Sequence, residues 1–219
     1  MKIHKYITTY KNTTFLQVEL ICFFFLKKRW ICRIFCCLIN IMKNFNPQKM
    51  LAAVAYVCQS NENKFDKLAL IKVLYLAERD SICQTFSYMT GDEMLRYRFG
   101  PILKHLHDAL RGKSTKYFQN LWDKYLKNPD AGSNDVFLIE TPDMGELSFA
   151  DKSFLNSAIK TVNSCPHGEL VEEIHKLPEW DAAFRHGKSR IDLVDILHLY
   201  RPDLTSEEIL DIKRELEPA

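Results

Sequence analysis

Glycine-rich phosphate loops are missing from this sequence. With only seven glycines in 219 residues, it contains neither G-x-x-x-x-G-K-[ST] nor G-x-G-x-x-G, so no motif cradles a nucleotide phosphate. The metal-peptidase pattern H-E-x-x-H and the nucleophile elbow G-x-S-x-G are absent as well. The seven cysteines form no C-x-x-C pair and no zinc-finger spacing. Their odd number, without a signal peptide, is that of reduced thiols in the cytoplasm. No long uninterrupted apolar run exists either. In "FLQVELICFFFLKKRWICRIFCCLINI", residues 15–41, Glu19 and the cluster Lys27-Lys28-Arg29 cut the apolar material into short pieces, whereas a membrane span needs roughly 18 residues. The stretch does not read as a signal peptide, because the basic cluster follows the apolar part and no small-residue cleavage site comes after it.

The small net charge of +2 conceals two unlike regions. Residues 1–41 hold seven Lys/Arg and one Glu, a net of +6, which leaves 23 basic and 27 acidic residues in 42–219, a net of −4. A mildly acidic body argues against a nucleic-acid partner. Two readings are open for residues 1–41: an amphipathic anchor lying at a membrane interface, and an over-extended, non-functional start. The break in composition at Met42 favours the second. The expected organisation is therefore an atypical extension, 1–41, and one domain, 42–219, without stable membrane insertion.

From Met42 onward helical periodicity dominates. Pro47 suits a first turn, and Met50, Ala53, Val54, Val57 and Cys58 follow at helical spacing. "FDKLALIKVLYLAERD" is apolar on nearly every side from Leu68 to Ala77 except at Lys67 and Lys72, so it belongs at the centre of the core, ending near Arg79 and Asp80. Pro101 sits where a further helix should open, with Ile102, Leu103, Leu106 and Leu110 as its stripe and Gly112 as its terminator. "KYFQNLWDKYLKN" is a short helix, and Ser148 with Asp151 makes a capping-box start for the next. Three short helices follow, then a charged one capped by Thr205 with Glu208. "VFLIET" is the best strand candidate. The fold expected is mainly α with a minor β element: a compact single-domain helical bundle with a small sheet of two or three strands.

The segment Thr90–Pro101, "TGDEMLRYRFGP", does not fit a helix. Gly91 suits a tight turn and Gly100 a left-handed position or a close backbone approach, while Asp92 suits acceptance of N–H groups in its own turn. Between them, Met94, Arg96 and Arg98 alternate with Leu95, Tyr97 and Phe99, a half-buried strand pattern. We expect this strand to pair with "VFLIET". Leu95, Tyr97 and Phe99 should face the core, leaving Met94, Arg96 and Arg98 outward for a partner, since Met and Arg are enriched in interfaces.

These residues carry a resemblance. Leu74-Tyr75-Leu76-Ala77, then Thr90-Gly91-Asp92, then Gly100-Pro101 after seven residues, resemble the hallmark region of the Panacea domain, the family of SocA-like antitoxins. The later stretches "LSFADKSFLNSAIKTV" and "LVEEIHKLPEWDAAF" resemble the family's second half, with Leu170, His175 and Trp180 at its leucine, histidine and tryptophan. The resemblance covers about residues 48–200. Met94 stands where the family usually has an aromatic residue, and Arg96 where it often has a small one. The resemblance implies an antitoxin that binds and neutralises a protein toxin encoded beside it, often in prophage DNA. It also implies an alternative, an adaptor that delivers the toxin to an ATP-dependent protease.

No constellation competes strongly with that reading. His105 and His107 are two apart on a helix and cannot share a metal. Cys165-Pro166-His167 reads as a loop rather than a thiol–imidazole dyad, and His175 with Trp180 as a packed helix junction. No cofactor, metal or catalytic group is expected. A hydrolase of unknown substrate, acting through Asp92 or His105, is the remaining alternative.

Overall fold

Asn46 and Pro47 start the first helix as their chemistry requires. The Asn46 side chain accepts the Lys49 N–H at 3.0 Å, satisfying a first-turn donor. Helix α1, Pro47–Gln59, buries Met50, Ala53, Val54, Val57 and Cys58. In this computed structural model the described residues are 45–129, 133–166 and 168–217. The N-terminal region 1–41, read above as an extension, lies outside them, as does His167 of the candidate dyad.

Helix α2, Lys67–Thr85, is the centre of the core: every residue from Leu70 to Glu78 is buried. It packs most extensively along α5, Phe149–Ser164. The helix does not end at Arg79-Asp80. Ser81 and Ile82 are also buried, so the next turn still faces the core, and the chain leaves the helix at Phe86, whose φ is +53°.

The other described helices are α3 (Lys104–Ala109), α4 (Lys116–Tyr125), α6 (Leu170–His175), α7 (Pro178–Arg185), α8 (Leu193–Tyr200) and α9 (Ser206–Leu216). The capping boxes expected at Ser148/Asp151 and Thr205/Glu208 both form. The fold is mainly α with a minor β element.

That β element differs from expectation. Strand β2, Met94–Tyr97, pairs antiparallel with β3, Gly100–Leu103, in a hairpin whose tip is Arg98-Phe99. Strand β5, Asp135–Leu138, lies instead in a separate sheet between β1, Lys64–Asp66, and β4, Leu126–Lys127. Pro101 therefore sits in a strand, and α3 begins three residues later, at Lys104. Its register explains the tolerance. Pro101 stands opposite Arg96, and the Arg96 N–H points away from β3 to Ser189 O at 2.9 Å. This is the non-hydrogen-bonded position of an antiparallel ladder, where proline has no ladder N–H to lose.

Candidate protein-interaction site

The Thr90–Pro101 segment is held at both ends by side chains of the buried helix. At its start, Glu78 accepts the Thr90 N–H at 2.9 Å, the Thr90 hydroxyl at 2.7 Å and the Gly91 N–H at 3.2 Å. Gly91 has φ +73°, which brings successive N–H groups onto one carboxylate. Glu78 is fully buried, and burial lifts its pKa from 4.5 to about 7 although the bonds from Thr90 and Gly91 pull it down.

Asp92 works beyond its own turn. It accepts the Glu93 N–H at 2.7 Å, but also the His105 N–H at 2.9 Å and the Leu106 N–H at 3.1 Å. Leu103, at the N-cap position, makes no side-chain capping bond, so Asp92 caps α3 from across the hairpin. Its carboxylate also meets His105 Nδ1 at 2.8 Å, and that bond raises the His105 pKa. The ring of His105 stacks on Phe45 with centroids 4.2 Å apart. The Asp92 carboxylate thus both caps α3 and holds the His105 ring in place.

At the other end, Lys72 Nζ donates to Pro101 O at 3.0 Å. Lys72 is 1% exposed, and burial lowers its pKa from 10.5 to about 7. Gly100 has φ +94°, and a Cβ there would lie 2.6 Å from Ile174 Cγ2 and 2.9 Å from Lys72 Nζ. Both readings offered for Gly100, left-handed backbone and close approach, hold together.

His175 and Trp180 hold the hairpin tip from outside. His175 Nε2 lies 3.1 Å from Arg98 O, and Trp180 Nε1 donates to Tyr97 O at 3.1 Å. The two rings stack at 4.0 Å, and Trp180 stacks in turn on Phe184 at 5.5 Å. They are thus a helix junction, as expected, whose polar atoms grip the hairpin. Lys188–Ile191 closes the other edge of β2, through Arg96 N–H to Ser189 O and Ile191 N–H to Met94 O at 3.0 Å.

The facing of the strand is the main correction. Met94 is 2% exposed, whereas Tyr97 is 43% and Phe99 60% exposed. Burial falls along β2 from Met94 to Tyr97 rather than alternating. Strand β3 is buried along its whole length, Gly100 included, and the exposed part of the hairpin is the end of β2 with the turn, Tyr97 to Phe99. Phe99 lies in the turn, where strand alternation no longer applies. Met94 is a core residue and presents no surface to a partner. Arg96 is half-buried, with Nε donating to Lys188 O at 2.8 Å and its guanidinium 5.4 Å from the Phe184 ring centroid. Arg98 is exposed, 5.4 Å from the Phe99 ring.

Sequence reasoning missed Glu78, Phe184 and the surface role of Tyr97 and Phe99. Glu78 did carry a signal: an acid next to Ala77 in a helix read as surrounded on all sides must be buried with partners. It missed Glu179 too, which is 1% exposed and accepts the hydroxyls of Tyr75 at 3.0 Å and Tyr200 at 2.7 Å. That network ties α7 and α8 to α2.

The family model described as "Antitoxin SocA-like, Panacea domain" matches residues 70–181. The match begins in α2, takes in the whole hairpin and ends just past Trp180. The chain belongs to the SocA-like Panacea antitoxin family. No curated protein and no solved structure matches it. Among the described residues, no helix is long and apolar enough to cross a membrane, and no group of three or more metal-binding side chains occurs.

Proposed function

We propose that this protein is a cytoplasmic antitoxin that neutralises a cognate protein toxin by direct binding, with the tip of the β2–β3 hairpin as the contact. Family membership supports the antitoxin role. The observation that supports this surface is an exposed tip, Tyr97, Arg98 and Phe99, on a backbone clamped by Glu78, Lys72, His175 and Trp180. A tip held in one conformation loses little entropy on binding, and exposed aromatic and arginine side chains are the usual anchors of protein interfaces.

The test is growth rescue. The full chain is co-expressed with each adjacent open reading frame that is toxic when expressed alone, and the purified proteins are then mixed without any protease. We expect the wild type to restore growth and to inhibit the toxin by itself. Replacing Arg96 and Arg98 by Glu, with the melting temperature retained, should abolish both effects. Rescue by that variant would move the partner surface to the helical half after Ser148. There a cleft of about 350 Å³ lies between Leu76, Val162, Leu170, Ile174 and Leu177. Rescue only in cells that contain an ATP-dependent protease would favour the adaptor.

A further inference from the structure

The charges around the hairpin tip are distributed unlike those of the rest of the domain. Residues 184–190 carry Arg185, Lys188 and Arg190 and no acid, while residues 42–219 as a whole carry a net of −4. Backbone pairing of Lys188–Ile191 with β2 brings this basic stretch beside Arg96. Three of the cations around the tip are already neutralised within the protein: Arg185 by Asp181, Lys188 by Asp195 at 2.9 Å, and Arg190 by Glu93 at 3.0 Å. Arg96 and Arg98 differ. Among the described residues neither has a carboxylate within ion-pair distance. Each guanidinium lies near an aromatic ring instead, Phe184 for Arg96 and Phe99 for Arg98.

We infer that this surface recognises an acidic, apolar-spaced segment of the partner protein, with carboxylates engaging Arg96 and Arg98 while neighbouring apolar side chains rest on Tyr97, Phe99 and Phe184. The inference rests on the antitoxin reading above and adds the partner's chemistry to it. A ring beside a guanidinium takes none of its N–H groups, which stay open to a carboxylate fork. Arg96 spends only Nε, on Lys188 O, so its two terminal nitrogens remain available. The exposed aromatics, Tyr97 at 43%, Phe99 at 60% and Phe184 at 55%, supply the apolar contact that carboxylates alone lack. A nucleic acid would also meet arginines and aromatic rings here. The net charge of −4 over residues 42–219 as a whole disfavours a long phosphate backbone, whereas a short acidic peptide needs only the basic tip itself.

The experiment uses the full chain and three fluorescein-labelled probes: a twelve-residue peptide alternating Glu and Leu, the same peptide with Lys for Glu, and a twelve-nucleotide oligothymidylate. Fluorescence anisotropy should show binding of the Glu peptide, weakened at higher salt, and no binding of the Lys peptide. Arg96→Glu with Arg98→Glu should reduce affinity for the Glu peptide at least tenfold. Arg98→Glu alone, at an exposed position with no side-chain hydrogen bond among the described residues, gives the same direction should the double variant misfold. Tighter binding of the oligonucleotide than of the Glu peptide overturns the inference in favour of a nucleic acid. Absence of Glu-peptide binding, or binding indifferent to both substitutions, overturns it outright. The two levels separate cleanly. Growth rescue by wild type without Glu-peptide binding removes this inference and leaves the antitoxin reading, and Glu-peptide binding without rescue does the reverse.

Discussion

Gly100→Ala isolates the fit between the hairpin and the body, and Gly112→Ala is its built-in control. Both glycines have positive φ, +94° and +65°, so an alanine at either pays backbone strain of about 1–2 kcal/mol. They differ in what surrounds them. Among the described residues a Cβ at Gly112 meets nothing within 4 Å, whereas one at Gly100 lies 2.6 Å from Ile174 Cγ2 and 2.9 Å from Lys72 Nζ. The lysine end can swing, but Ile174 sits on α6 and is 5% exposed, so relief requires the hairpin to lift off that helix. Overpacking of this kind costs a further ~1–3 kcal/mol. The total for Gly100→Ala is about 2–5 kcal/mol, against about 1–2 for Gly112→Ala. For a domain of this size, each kcal/mol shifts the melting temperature by about 2–4 °C. We therefore expect a fall of roughly 4–20 °C for Gly100→Ala and roughly 2–8 °C for Gly112→Ala, read by far-UV circular dichroism and checked by urea denaturation. Equal losses in the two variants would refute the packing argument and leave φ strain as the whole effect.

Lys72→Met should reveal the cost of the buried amine through its pH dependence. The folded pKa of about 7 lies below 10.5, so the penalty grows as pH falls from 10.5 towards 7 and is complete below 7. The variant's advantage over wild type should thus be up to about 3 kcal/mol larger at pH 6 than at pH 9; a pH-independent difference in melting temperature would contradict this. Glu78 slopes the other way at lower pH, because its folded pKa is raised from 4.5 to about 7. Its contribution is fully present below 4.5 and is lost as pH rises to 7, so Glu78→Gln should flatten wild-type stability over that window. Gly91→Val forces a β-branched side chain to φ +73° and should lower stability by about 2 kcal/mol or more; an unchanged urea midpoint would count against the clasp geometry. A chain beginning at Met42 should melt and rescue growth as the full chain does. One beginning at Pro47 should melt lower, since it loses the Phe45–His105 stack and the Asn46 N–H bond to Thr90 O at 2.8 Å.

Local chemistry was readable from the chain alone where it depends on neighbours a few residues apart. The first turn at Pro47, the capping boxes at Ser148 and Thr205 and the positive φ of Gly91 and Gly100 all follow from one turn of sequence. So does the burial of α2, because an apolar residue at nearly every helical angle can be accommodated only by surrounding elements. Tertiary structure alone decided which strand pairs with which. A four-residue strand carries no information about its partner, and β2 closed on β3 because a two-residue turn brings them together before any distant strand can. It also decided which faces are bare. Alternation marks two faces of β2, but burial falls along that strand towards the turn while its partner β3 stays buried throughout, so position along the strand outweighs side. The roles of Glu78, Asp92 and Lys72 belong to the same class. Each is a polar side chain whose partner is ten or more residues away, and only the assembled core, by removing water, makes those bonds obligatory.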